Sequence, residues 1–168
     1  MILNHKKAFE FILEREKDFS KNIKSSLIEE IHKKIISKLN VNFGIRKSPI
    51  WITGTTYKPL DNQYQVREAL EELNKIINNT DNPYAKALLV ILGMSYIQPF
   101  EDGNKRTARL LANAILLAHK HAPLSYRSVD EINYREAILV FYETHSITPM
   151  KNIFIEQYLF SAKTYLVE

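Results

Sequence analysis

The sequence predicts an all-α domain, a helical bundle with one β-hairpin inserted in it. Three observations carry this expectation. Apolar residues recur at threes and fours over most of the chain. One run, Tyr84 to Ile97, is apolar nearly all round and reads as a central buried helix. Only the stretch Ile50-Trp51-Ile52-Thr53-Gly54-Thr55-Thr56-Tyr57 concentrates β-branched and aromatic residues around a glycine, the pattern of a small hairpin.

The elements follow in order. Leu3, Ala8, Phe9, Ile12 and Leu13 mark a first amphipathic helix. Leu27, Ile28, Ile31, Ile35 and Leu39 mark a second, from about Lys24 to Leu39. Asn42-Phe43-Gly44 breaks it, and the hairpin occupies about 49–59, with Trp51 expected to pack beneath it. Val66, Leu70, Leu73 and Ile77 set a third helix from Asn62 to Ile77, closed by the turn cluster Asn78 to Pro83. The buried helix ends at Gln98, because a residue before proline avoids the α region. Gly93 inside it suggests close packing. Arg106 to His121 is a further apolar helix. Ser128-Val129-Asp130 opens another that runs to about Glu143, and a last helix, interrupted near Pro149, reaches the C-terminus. No linker or repeat divides residues 1–168, which read as one domain.

Composition narrows the chemistry. The chain has 168 residues, 45% hydrophobic and 25% charged, ordinary shares for a globular protein. It has no cysteine, which excludes disulfides, thiolate zinc sites and a cysteine nucleophile. Four glycines, Gly44, Gly54, Gly93 and Gly103, are too scattered for a glycine-rich phosphate loop. The net charge of +4 is mild. The helical run Lys33, Lys34, Lys38 with Arg46 offers a basic patch, but such runs are ordinarily solvated faces, so nucleic acid is not expected as a partner. His119 and His121, two apart on a helix, point in different directions, and no HExxH motif occurs. The longest apolar stretch, Ala87 to Ile97, falls short of the about 20 residues that span a bilayer. With no signal-peptide pattern at the N-terminus, the expectation is a cytoplasmic protein without a membrane partner.

One stretch breaks a local rule. In Gln98-Pro99-Phe100-Glu101-Asp102-Gly103-Asn104-Lys105-Arg106-Thr107-Ala108-Arg109 a helix begins with cations. A helix N-terminus carries partial positive charge, and each cation misplaced there costs about 0.3–1 kcal/mol. Arg106 and Arg109 share a face and lean back towards the loop. Cations, free N–H groups and the dipole thus converge, an arrangement that suits an anion. Gly103 lets the backbone approach it, and Asp102 beside a polyphosphate is a natural Mg²⁺ ligand. The plainer alternative is a helix cap, with Asp102 or Asn104 as N-cap and solvated cations.

The same stretch resembles the signature of the Fic family, HxFx(D/E)GNxRxxR. Of seven specified positions six match: Phe100, Asp102, Gly103, Asn104, Arg106 and Arg109. The resemblance extends to the N-terminal helix, to a flap at Ile50, Trp51, Ile52, Thr53, Gly54 and Thr55, and to the C-terminal helices. It implies a protein adenylyltransferase that uses ATP and Mg²⁺ and modifies a Tyr, Thr or Ser hydroxyl of a target protein docked on the flap. By that resemblance Asp102 holds the metal, Gly103, Asn104 and Lys105 form the phosphate loop, Arg106 and Arg109 contact the polyphosphate, and Phe100 anchors the loop. Position 98, where the family carries its general-base His, is Gln98. A carboxamide does not titrate near neutrality, so transfer is expected to be weak or absent. Lys105, where many adenylyl-transferring members have Gly, resembles the Doc phosphotransferases. A non-catalytic module that binds nucleotide and protein is the other alternative. The family's inhibitory pattern (S/T)xxxE(G/N) is met only in part by Ser25 to Glu30, and loosely by Thr164 to Glu168, so an inhibitory partner protein is a further possibility.

Overall fold

The computed structural model describes residues 2–165, and every regular element among them is a helix. Among them lie α1 (Ile2–Glu14), a 3-10 turn (Glu16–Phe19), α2 (Ser25–Ile36), α3 (Gln63–Asn78), α4 (Pro83–Ile97), α5 (Asn104–Ala118), α6 (Glu131–Thr144) and α7 (Thr148–Tyr165).

Helices α4 and α5 pack against each other most extensively and form the centre. The apolar run of α4 buries Ala87, Val90, Ile91, Leu92 and Met94. That of α5 buries Leu110, Leu111, Ala114, Ile115 and Leu116. Helix α3 presses close at Gly93: a Cβ there would lie 2.5 Å from Leu73 Cδ1. The expected close packing is therefore present. Side chains end the loops cleanly, since Asn62, Asn82 and Asp130 each accept from N–H groups of the helix they precede.

Several expectations are corrected. Lys38 lies at φ +60, beyond the end of α2 at Ile36, so that helix stops short of Leu39. Helix α5 starts at Asn104 and ends at Ala118, not at His121. Pro149 does not interrupt a helix but is the second residue of α7, where its missing N–H breaks no bond.

The hairpin is absent: residues 50–57 form no strand among the described residues. They make an irregular loop that turns at Thr53–Gly54, with Gly54 at φ +89. The reason is where the hydrogen bonds go. The Thr55 hydroxyl, the Thr56 N–H (2.7 Å) and the Thr56 hydroxyl (2.8 Å) all donate to the Glu143 carboxylate on α6. The Tyr57 hydroxyl donates to the Tyr96 carbonyl at 2.9 Å, and its ring stacks on Tyr96 and Tyr142. Trp51 does not pack beneath this loop; it is 77% exposed.

Arg46 is also not where its charge suggested. It is buried and belongs to no surface patch. Its guanidinium donates to the carbonyls of Gln98 (2.6 Å), Ser48 (3.0 Å) and Leu60, and reaches that of Ile97 at 3.4 Å. It thereby caps the C-terminus of α4. Ser25 to Glu30 form the start of α2, where Ser25 accepts from Asn74 and Glu30 pairs with Arg15. The Thr164–Glu168 pattern ends outside the described residues. No helix among the described residues is long and apolar enough to cross a membrane.

Candidate functional site

The site is the connection from α4 to α5. Gln98 ends α4 in the left-handed region, at φ +49, and so turns the chain out of the helix. Its side chain is nearly buried, and its amide nitrogen donates to the Ser95 carbonyl at 2.7 Å and the Tyr142 hydroxyl at 3.3 Å. The Tyr142 hydroxyl itself donates to Ser95 O at 2.8 Å. Burial raises the Tyr142 pKa to about 12, so the phenol stays neutral.

The loop that follows is fixed from three sides. The Phe100 ring is fully buried and lies flat on the His32 ring, centroids 3.7 Å apart. The Nε2–H of His32 donates to the Asp102 carbonyl at 3.0 Å. Burial holds the His32 pKa below its usual value, which favours the neutral ring. Asn104 closes the loop, accepting from Phe100 N–H (2.9 Å) and donating to Phe100 O (2.8 Å). Asn42 fastens the exposed side by donating to Glu101.

Gly103 is the N-cap of α5, at φ +82, and no side chain caps this helix. Neither expected capping residue serves: Asn104 is turned to Phe100, and Asp102 accepts from Gly103 N–H at 2.5 Å. The other Asp102 oxygen pairs with Arg106 at 2.8 Å. Two guanidinium nitrogens, Arg106 Nη1 and Arg109 Nε, are buried without a partner. Arg109 has no carboxylate partner among the described residues. Its guanidinium lies instead against the rings of Tyr126 (4.3 Å) and Tyr134 (4.5 Å).

A cavity of about 490 Å³ opens over this helix start. Gln98, Asp102, Gly103, Asn104, Lys105, Arg106 and Arg109 all line it, so the structure brings together every residue of the predicted nucleotide and metal sites. A second cavity of about 520 Å³ shares Gln98, Lys105 and Arg135 with the first and is bounded by Trp51, Ile52 and Thr53. Ile50, Gly54 and Thr55 do not line it. Gly54 instead sits against α6, where an added Cβ would meet Arg135 at 3.2 Å.

Sequence reasoning missed the wall opposite the loop. Glu131, Tyr134 and Arg135 of α6 complete the first cavity, and Ile138, Leu139 and Tyr142 continue into the second. Their spacing of threes and fours was the available signal, because it puts all six on one helix face.

A model of the Fic/DOC family matches residues 22–116, more than half of the chain, and the match includes the loop and the first turns of α5. The chain belongs to the Fic/DOC family. It is 46% identical over 55 residues to "Protein adenylyltransferase Fic" of Nematostella vectensis, a match covering 33% of this chain and 13% of that protein. To "Protein adenylyltransferase fic-1" of Caenorhabditis elegans it is 29% identical over 102 residues, 58% of this chain and 20% of that one. The matches thus take in a fifth or less of the curated relatives' length. Among solved structures, a Fic domain containing signaling protein of Bacteroides thetaiotaomicron superposes with a TM-score of 0.79 at 22% identity, over 95% of this chain and 68% of that one. BepC of Bartonella tribocorum, solved with bound AMPPNP, gives 0.68 at 14% identity, over 92% and 85%. These likenesses establish the Fic fold. The α6 wall lies beyond the Fic match, which ends at residue 116.

Proposed function

We propose that this Fic domain binds ATP at the start of α5 and docks a target protein beside residues 50–57, with adenylyl transfer slowed or abolished by Gln98. The observation that carries the nucleotide part is the pair of buried, unpartnered donors on Arg106 and Arg109. Buried polar groups are nearly always hydrogen-bonded, and cationic side chains lining a cavity over a helix N-terminus suit phosphate oxygens. The N–H groups of the first turn of α5 would add to the cradle. The name "protein adenylyltransferase" carried by the relatives, and the AMPPNP held by BepC, support the same reading.

Asp102 fits a divalent cation as its one protein carboxylate, since Mg²⁺ sites commonly combine one or two carboxylates with substrate phosphates. When bound, Mg²⁺ would neutralise charge on the phosphates. Asp102 would then exchange its pairing with Arg106 for the metal, freeing that guanidinium for the nucleotide. In the transfer, a target hydroxyl oxygen forms a bond to the α-phosphorus, the bond to the β-phosphate oxygen breaks, and pyrophosphate leaves. The hydroxyl proton needs an acceptor at position 98. The Gln98 amide has no titrating group there, and its nitrogen is engaged by Ser95 and Tyr142. Loss of a general base typically costs about 10²–10⁴-fold in rate.

The engaged amide also favours a second reading, a module that binds nucleotide and protein without turnover. Lys105 leaves Doc-like phosphoryl transfer as the other chemistry this loop would support. Calorimetric titration with AMPPNP and Mg²⁺ tests the shared premise. Saturable binding that Arg106→Ala abolishes is expected; no binding at millimolar nucleotide would overturn the proposal.

A further inference from the structure

Arg109 is held in an unusual way. Its guanidinium carbon lies 4.3 Å from the Tyr126 ring centroid and 4.5 Å from that of Tyr134. The two rings meet edge-on, at 79° with centroids 5.8 Å apart, and so form a corner around the cation. Tyr134 is buried on α6. Tyr126 stands in the loop before α6 with its backbone in the left-handed region, φ +56, an uncommon conformation for a tyrosine.

We infer that Tyr126 and Tyr134 are positioning residues that hold the Arg109 guanidinium for an anionic ligand without consuming its hydrogen-bond donors. A carboxylate partner would fix Arg109 equally well but would occupy its N–H groups and cancel its charge. An aromatic ring attracts the cation through its quadrupole and leaves the in-plane donors free. The contrast is visible one turn earlier, where Arg106 is held by Asp102. Both tyrosines lie outside the span matched to the Fic/DOC family, residues 22–116. The inference rests on the reading that the cavity takes nucleotide phosphates.

The test is calorimetric titration of the full chain with AMPPNP and Mg²⁺, and with inorganic triphosphate, in four variants beside the unaltered protein. These are Arg109→Ala, Tyr126→Phe, Tyr126→Leu and Tyr134→Phe. The ring-preserving variants should bind both probes within about twofold, whereas Tyr126→Leu should weaken both by about five- to tenfold, a typical loss for a partly desolvated cation–π contact. Rescue by Phe separates positioning from mere support of the fold, and the thermal midpoint of Tyr126→Leu gives a second check. If Arg109→Ala loses affinity while Tyr126→Leu does not, the positioning role is wrong. Equal losses in Tyr126→Phe and Tyr126→Leu would also overturn it, since the ring would then be irrelevant. If Arg109→Ala itself binds normally, the underlying nucleotide reading at Arg109 fails instead.

Discussion

Asn104 satisfies both backbone groups of Phe100, its oxygen 2.9 Å from the N–H and its nitrogen 2.8 Å from the carbonyl. All four partners are buried. The asparagine therefore shapes the loop from beneath. This explains why an amide, with a donor nitrogen and an acceptor oxygen on the same group, suits position 104.

Asn104→Ala would leave the Phe100 N–H and C=O unpaired. Each such buried group costs about 1–3 kcal/mol, so a loss of roughly 2–6 kcal/mol is expected in urea denaturation. Asn104→Asp keeps the acceptor but loses the donor to the Phe100 carbonyl, so it too should be less stable than the unaltered chain. Nucleotide affinity should drop in both, because the N–H cradle of α5 depends on the same loop.

Arg46 supports the loop from the other side by gathering carbonyls at the end of α4. Arg46→Met should destabilise the chain by about 3 kcal/mol or more, since hydrogen bonds from a charged donor are worth about 1.5–3 kcal/mol each. Arg46→Lys should recover only part of this, because one ammonium cannot reproduce the guanidinium fork. Thermal unfolding of the two variants checks the order.

Glu143 fastens the loop at residues 50–57. Hydrogen bonds first from the Thr55 hydroxyl, then from Thr56, hold its carboxyl below the ordinary value of 4.5. A depressed carboxyl pKa means that the anchorage is intact above pH 4.5 and is lost as pH falls through the lower, folded value. Trp51, the single tryptophan, stands four residues from Thr55 and reports on the loop. Its fluorescence anisotropy should fall on acidification below pH 4.5. In Glu143→Gln it should be lower from the outset and lack that transition.

Much of this was legible in the chain. Helix periodicity and caps located α1 to α6 to within a few residues, because each helix closes its own hydrogen bonds. The run from Gln98 to Arg109 was legible because its cations violate a local electrostatic rule. The loop around Gly54 was not, since β-branched residues need a partner strand to become a sheet, and here a carboxylate from α6 takes their donors. Arg46 escapes local reading for a similar reason: its charge says surface, while three of its four carbonyl partners lie 14 to 52 residues away. The Tyr126–Tyr134 corner on Arg109 likewise joins segments that no local pattern connects.

The central claim is that the nucleotide site is competent and that position 98 limits transfer. It is tested most directly by comparing the unaltered chain with Gln98→His, each incubated with ATP, Mg²⁺ and a cell lysate, and scoring adducts on target proteins by mass spectrometry. The account predicts little or no labelling by the unaltered chain and an adduct of AMP mass with Gln98→His, higher by about 10²–10⁴-fold. Equal labelling by both proteins, or adducts from neither, would contradict it.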